Sequence, residues 1–325
     1  MSVGLTERKI ERRRRPLPAP GAGLSTRATG VALAFVTALI SGISIWVNGR
    51  AVRHFGDATV YTTAKNLVAG VLLVAIFLVG RAGSGVAEAR GLGRREWLSL
   101  FGVGLIGGSV PFVLFFEGLA RAEATQASFI QKTLVVWVAL LAVPLLHERF
   151  GWPHALAILL LIAGQAWLVG GAGTVTFGTG EAMILAATLL WAVEIVFVKY
   201  LLRGLSPSLL AAARMGFGTT LLLFWVAVSG RWNGLTGLGA EQWRWVLLTG
   251  LLLTAYVATW YAALARAQAI DVTAVLVFGA FVTAALSGVI DGKTVSATGM
   301  VLVAAGAVVA AAAALRRPVR RTVPT

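Results

Sequence analysis

Apolar residues run along this chain in ten long stretches that short polar segments separate. Each stretch approaches the roughly 20 residues that a helix needs to cross about 30 Å of hydrocarbon. The longest connection, 81–96, is rich in Gly and Arg and is predicted to be a loop. The pattern predicts an all-α, polytopic membrane protein with ten transmembrane helices, at about 29–49, 59–80, 97–119, 123–146, 153–171, 180–202, 207–229, 243–264, 269–289 and 295–315.

Composition agrees with this prediction and excludes several kinds of chemistry. The chain is 58% hydrophobic and 13% charged, whereas soluble domains are about 45–50% apolar and about 25% charged. It has no cysteine, which excludes disulfides, thiolate nucleophiles and cysteine metal sites. It also has no phosphate-binding glycine loop and no nucleophile elbow. We therefore expect no metal or other cofactor and no enzymatic activity.

The formal net charge of +15 comes largely from Lys and Arg at the ends of the predicted helices. With the N-terminus inside, the inner segments carry 19 of these residues and the outer loops carry 6. Because positive loops stay in the cytoplasm, both termini are predicted to be cytoplasmic, in a multi-pass protein of the cell membrane. The basic tails, 1–28 and 316–325, would then face anionic lipid, and we expect no nucleic-acid partner.

The two halves of the chain resemble each other at an offset of about 145–150 residues. "GLARAEATQ" (118–126) matches "ALARAQAID" (263–271), "TALISGISIWVNG" (37–49) matches "ATLLWAVEIVFVK" (187–199), and Lys65 aligns with Arg214. The pattern predicts two five-helix repeats, at 29–171 and 180–315. Five is an odd number, so the repeats must lie upside down relative to each other. Inverted repeats around a midplane site are typical of transporters.

Several of these segments resemble a known family, the EamA type of the drug/metabolite transporter superfamily, over about 30–315. The similar segments are "WAVEIVFVKYLL" (191–202), "LARAEATQASFI" (119–130) and "HERFG" (147–151), together with Arg214. The chain has His147 where the family often has Gly, and Val135 where it often has Pro. The second half has "IDGKTVS" in place of a Glu-Arg pair. The resemblance implies a ten-helix exporter of amino acids or other metabolites.

Lys132 lies inside an apolar run, "FIQKTLVVWVALLAV" (129–143). A charge at the bilayer centre costs roughly 2.5–3.5 kcal/mol, so such residues usually face protein or a wet cavity. Thr125, Ser128 and Lys132 are spaced i, i+3, i+7 and share one helical face. This spacing predicts that Lys132 faces a central cavity. The alternative is that its side chain extends to the outer membrane surface.

Further polar and aromatic residues lie on single faces of other predicted helices. The first helix carries Ser44 and Asn48, and Trp191 and Glu194 lie on the corresponding helix of the second repeat. Hydrogen bonding between helices is the alternative for these polar positions. The predicted substrate-binding residues are Lys132, Ser128, Thr125, Ser44, Asn48, Trp191, Glu194, Tyr256 and Trp260.

Three other charges are predicted to form gate or structural contacts in preference to substrate contacts. Lys65 and Arg214 are repeat mates at opposite depths in the membrane. Glu117 lies near the outer end of the third helix, where it could also be merely interfacial.

These features predict a secondary transporter that moves a small metabolite, preferably an amino acid or similar zwitterion, by alternating access. Lys132 would bind a carboxylate, and Glu194 would bind an amine or a coupling proton or else neutralise Lys132. A nucleotide-sugar or lipid-linked carrier of the same superfamily is one alternative. A membrane-embedded lipid-handling enzyme is the other. The expected partners are the substrate, protons and membrane lipid, in a monomer or weak dimer.

Overall fold

The computed structural model describes residues 24–80, 84–122, 124–168, 170 and 177–316. Helices make up most of these ranges, and no strand occurs within them. The predicted basic tails, 1–28 and 316–325, lie largely outside the described residues.

Ten principal helices follow one another along the described chain. Nine of them are long and apolar enough to cross a membrane, whereas the fifth has 17 residues and would span about 26 Å at 1.5 Å per residue. The prediction of an all-α, polytopic membrane protein is confirmed. The helices are α1 (Leu24–Ala51), α2 (Ala58–Val79), α3 (Arg94–Leu119), α4 (Ala124–Lys132 and Leu134–Leu146), α5 (Trp152–Leu168), α6 (Thr179–Leu201), α7 (Pro207–Val228), α8 (Ala240–Leu264), α9 (Ala269–Asp291) and α10 (Ala297–Leu315).

The segment 81–96, predicted to be a loop, is partly helical, because Ser84–Arg90 forms a short helix. The prediction was wrong because it weighed the Gly and Arg residues and overlooked "AEAR", which consists of strong helix formers. A tertiary contact also holds this helix. The Glu88 carboxylate accepts hydrogen bonds from the backbone N–H and the hydroxyl of Ser206, at 2.8 and 2.6 Å, just before α7 begins.

Two helices are interrupted where the apolar pattern predicted continuous spans. α4 is interrupted at Thr133, whose hydroxyl donates to the carbonyl oxygen of Ile130 at 2.6 Å. Such a local hydrogen bond competes with regular helix geometry. α9 is interrupted between Leu276 and Gly279, and Gly279 lies so close to α1 that a Cβ there would be 2.8 Å from the carbonyl oxygen of Ala38.

The two interruptions lie at corresponding positions of the two repeats. They lie about 145 residues apart, which is also the spacing of the two "LARA" segments. Each interrupted helix then ends in a left-handed residue, His147 with φ 54° and Gly292 with φ 64°, again at the same offset. α4 and α9 are therefore corresponding helices of the two repeats, with the same interruption and the same left-handed end.

α3 contains a π-helical segment, Gly104–Ser109, that packs closely against α7. A Cβ on Gly108 would lie 2.1 Å from the carbonyl oxygen of Arg214, so only glycine permits this approach. The Gly107 carbonyl oxygen in this segment accepts a hydrogen bond from the Trp191 indole at 3.1 Å. The π-helical turn thereby fixes the position of Trp191 on α6, and such turns are frequent at functional sites.

Candidate binding site

A large cavity lies where the two halves of the chain meet. It encloses about 1190 Å³ of empty space, including the part open to solvent. Its walls come from α1 to α4 and from α6 to α9. Its polar and aromatic lining consists of Ser41, Ser44, Asn48, Lys65, Ser128, Gln131, Lys132, Glu194, Arg214, Thr249 and Thr273, with Phe112, Phe115, Phe116, Trp191, Tyr256 and Trp260.

Most of the residues singled out in the sequence meet at this cavity. Its lining includes eight of the nine predicted substrate-binding residues: Lys132, Ser128, Ser44, Asn48, Trp191, Glu194, Tyr256 and Trp260. The ninth, Thr125, belongs to α4, but its side chain lies outside the described part of the structure. Lys65 and Arg214 also line the cavity, so they could contact a substrate directly. The individual roles stay predictions.

The lining residues are more exposed at one end of the cavity, called the mouth below, than at the other, called the closed end. At the mouth, Ser44, Asn48 and Ser128 are half-buried, near the last residues of α1 and the first of α4. At the opposite end the lining residues Trp260 and Thr273 are buried. A solute could therefore enter or leave this conformation at the mouth.

Both cavity lysines are buried beside neutral partners. Lys132 is 3% exposed, and its Nζ lies 3.3 Å from the Ser41 hydroxyl oxygen on α1. Lys65 is 2% exposed, and its Nζ donates to the Asn48 side-chain oxygen at 3.2 Å. The Lys65 ammonium also lies 3.6 Å from the centre of the Phe116 ring, a distance at which a cation is attracted to the ring face. Lys132 thus faces the cavity in this structure, not the membrane surface.

Glu194 forms its ion pair with Arg214. The sequence had left open whether Glu194 pairs with Lys132, and in this structure it does not. Its Oε1 lies 3.5 Å from the Arg214 Nε and accepts a hydrogen bond from the Tyr261 hydroxyl at 2.6 Å. The Nε and Nη1 atoms of Arg214 are buried and have no hydrogen-bond partner among the described residues. Glu194 is therefore engaged on one oxygen, while Arg214 keeps unused donors.

Aromatic rings form the apolar part of the cavity wall. Tyr256 and Trp260 stack with ring centres 6.1 Å apart and planes 8° from parallel. Across the cavity, Trp191 contacts the rings of Phe112 and Phe115 at 5.6 and 5.5 Å. These surfaces could bind the hydrocarbon part of a solute.

Glu117 lies apart from the cavity, in a group of charges that joins α2, α3 and α7 near the mouth. Its carboxylate accepts hydrogen bonds from Thr59 at 2.6 Å, Arg121 at 2.6 Å and Arg231 at 3.2 Å, and Arg231 also contacts Asp57. This placement favours a structural role over a substrate contact.

A second group of polar residues holds the closed end together. The Glu148 carboxylate, just after α4, accepts hydrogen bonds from the backbone N–H groups of Ala269 and Ile270 at 2.7 and 3.0 Å. The Lys199 ammonium, on α6, donates to the carbonyl oxygens of Leu264, at 2.5 Å, and Ala267. Both halves of the chain thus meet at the start of α9.

Three residues that hold these elements in place were not predicted from the sequence. Glu148 lies in "HERFG" and Lys199 in "ATLLWAVEIVFVK", and neither segment indicates which of its charges makes a contact between helices. Tyr261 follows Trp260 directly in the sequence, and the pattern of aromatic residues did not distinguish the two. Its hydrogen bond to Glu194 depends on the rotation of α8, which no spacing rule predicts.

We expect Glu148→Ala to destabilise the protein by about 1–3 kcal/mol, because it removes the acceptor for two buried N–H groups. Glu148→Gln should cost less, since glutamine keeps one of the two acceptor oxygens and loses the other. Burial raises the pKa of the Glu148 carboxyl above its ordinary value, against the two backbone N–H groups that favour the charged form. Thermal unfolding in detergent measures both, with the exposed Glu241→Gln as control. Equal losses for Ala and Gln would contradict the capping role.

The model of the EamA-like transporter family matches the chain twice, at residues 28–170 and 178–315. The chain belongs to the EamA-like transporter family. This membership confirms the family resemblance, and the curated relatives that match are named as transporters. The family's frequent Gly at position 147 has a physical reason here, because His147 adopts a left-handed conformation that glycine adopts most easily.

Curated relatives are similar over part of their length. An uncharacterized transporter of Archaeoglobus fulgidus is 29% identical over 54% of this chain and 62% of its own. One from Methanothermobacter thermautotrophicus is 27% identical over 45% and 44%, and one from Synechocystis sp. is 24% identical over 57% and 56%. The chain thus spans about half the length of the curated relatives it matches.

A solved crystal structure shares the fold. It matches with a TM-score of 0.68 and 19% sequence identity, covering 86% of this chain and 97% of that one.

Proposed function

We propose that this EamA-like transporter is a secondary transporter that moves a small metabolite by alternating access through the cavity described above. The observation that carries the proposal is the cavity itself, since helices of both halves build it, with a mouth at one end and a polar closure at the other. Inverted halves can exchange conformations, which would close the mouth and open the other end.

The charge distribution orients the protein in the membrane. Both termini are proposed to be cytoplasmic in the cell membrane, on the basis of 19 inner and 6 outer Lys and Arg residues. In that orientation the mouth, at the end of α1, faces outwards, and Glu148 and Lys199 close the cytoplasmic side. We infer export as the direction from the family resemblance.

The preferred substrate is an amino acid or a similar zwitterion. In this proposal Lys132 binds its carboxylate, Glu194 binds an amine or a coupling proton, and the rings of Trp191, Tyr256 and Trp260 contact its apolar part. The position of all five residues in the cavity lining supports these roles. A monomer or weak dimer remains the expected assembly.

One observation favours a second candidate, a nucleotide-sugar or lipid-linked carrier. The cavity presents three cationic side chains, Lys65, Lys132 and Arg214, against one carboxylate, Glu194. Phosphate groups bind well to such a set of donors.

Two measurements test the proposal. Proteoliposomes should take up labelled members of a panel of amino acids, organic acids and nucleotide sugars. In cells, the natural absence of cysteine allows single-cysteine labelling. An impermeant thiol reagent added outside should modify Ser128→Cys at the mouth and spare the buried Thr273→Cys near the closed end. Labelling of Ser128→Cys from the cytoplasm alone would reverse the orientation, and no uptake of any solute would refute transport through this cavity.

A further inference from the structure

The cavity has more positive charge than its own acids can neutralise. Glu194 is paired with Arg214. Among the described residues, no carboxylate lies within 4.0 Å of the ammonium group of Lys65 or Lys132. The acids nearer the mouth, Asp57 and Glu117, are occupied by Arg231.

Burial makes these unpaired charges unfavourable in the empty cavity. Lys65 is 2% exposed and Lys132 is 3% exposed. A serine oxygen, an asparagine oxygen and aromatic rings compensate a buried ammonium less well than an anion does. A solute that brought two negative charges would therefore be stabilised at both lysines.

The spacing of the two ammonium groups follows from their partners on α1. Lys132 contacts Ser41 and Lys65 contacts Asn48. These partners are seven residues apart on one continuous helix, so their backbone positions lie on the same face and about 10 Å apart along the axis, and this rise sets the scale of the gap between the two ammonium groups. Lys65 is thus the anion-binding group nearer the mouth, and Lys132 the deeper one.

This spacing selects the size of the solute. Charge-assisted hydrogen bonds take up about 3 Å at each end of the gap. About 4 Å then remains for the carbon chain between the two carboxylates, and three carbon–carbon bonds of about 1.5 Å span about that distance when extended. A four-carbon dicarboxylate has this length, and a five-carbon one is about one bond longer, a difference that the flexible lysine side chains accommodate.

We propose that the transported solute is a small dicarboxylate, acidic amino acids included, with one carboxylate bound by Lys65 and the other by Lys132. The inference rests on the proposed transport through this cavity and narrows its substrate class. It also explains why both cavity lysines lack an acidic partner among the described residues, since the solute supplies both.

Glutamate and glutamine are a matched pair for the test, because they differ in one carboxylate at nearly constant size. We expect the wild-type protein in proteoliposomes to bind glutamate at least tenfold more tightly than glutamine, and to transport it. Glutarate, the analogue of glutamate without the amino group, should behave like glutamate. Lys65→Met and Lys132→Met should each reduce this preference by tenfold or more. Lys293→Met, an exposed lysine outside this cavity, should leave it unchanged.

The outcomes separate the two proposals. Equal or better transport of glutamine and other neutral zwitterions by the wild type would overturn the dicarboxylate inference and leave the transport function standing. A preference for glutamate that survives Lys65→Met and Lys132→Met would overturn it as well. If no solute in the full panel is bound or transported, the proposed function fails and this inference fails with it. The wild-type comparison decides the matter even where a variant does not fold.

Discussion

Lys132→Met should weaken substrate binding by about tenfold or more while the thermal stability of the protein stays the same or rises. The Lys132 ammonium is 3% exposed and has a single hydrogen bond, to Ser41, among the described residues. A charge that is buried without a counter-ion destabilises the protein, and methionine fills a similar volume without charge. In the variant, the carboxylate of the bound substrate would be buried without the Lys132 ammonium as its partner. Removing one partner of such a buried pair typically costs about 2–5 kcal/mol of binding free energy.

Two further variants make this prediction specific. Lys132→Arg should restore binding only in part, because a planar guanidinium does not reproduce a compact ammonium. Lys293→Met should leave both binding and melting temperature unchanged, since this lysine is exposed in the connection after α9. Ligand-induced shifts in melting temperature measure all three proteins. Wild-type affinity in Lys132→Met would show that this lysine is structural.

Much of the fold could be predicted because the bilayer imposes one dominant rule, a long apolar stretch for each helix. The prediction was weaker where neighbours decide the backbone. The interruption of α4 at Thr133 and the π-helical turn at Gly104–Ser109 arise from local hydrogen bonds and close helix contacts, which apolar periodicity does not report. The short helix Ser84–Arg90 was missed because its support comes from Ser206, far along the chain.

The candidate site, like the fold, could be predicted only in part. The sequence predicted that Lys132 faces a cavity, because exposing a charge within a transmembrane helix to lipid is energetically unfavourable. Its neighbours could not be predicted, since pairing depends on how each helix is rotated. Glu194 therefore contacts Arg214 and Tyr261, and Lys132 contacts Ser41 instead. Lys65 and Arg214 also line the shared cavity, which their spacing in the sequence did not indicate, and their role as gate or structural charges stays a prediction.

Glu194→Gln should strongly destabilise the protein, by about 3–5 kcal/mol, because it leaves the Arg214 guanidinium buried without its counter-ion. The Nε and Nη1 atoms of Arg214 already lack hydrogen-bond partners among the described residues, so that charge has little other compensation. If Glu194 also carries the proposed coupling proton, the fraction of Glu194→Gln that remains folded should transport substrate independently of the proton gradient.

A double-mutant cycle distinguishes a coupled pair from two independent residues. Glu194→Gln and Arg214→Gln should each lower the melting temperature, since each leaves one buried charge unpaired. The double variant should be more stable than the sum of the single changes predicts, because it removes both charges together. Tyr261→Phe is the matched control, as it deletes only the hydrogen bond to Glu194 and should cost about 1–3 kcal/mol. Additive losses in the cycle would show that Glu194 and Arg214 do not stabilise each other, and the carboxylate would then be available to the substrate in the resting protein.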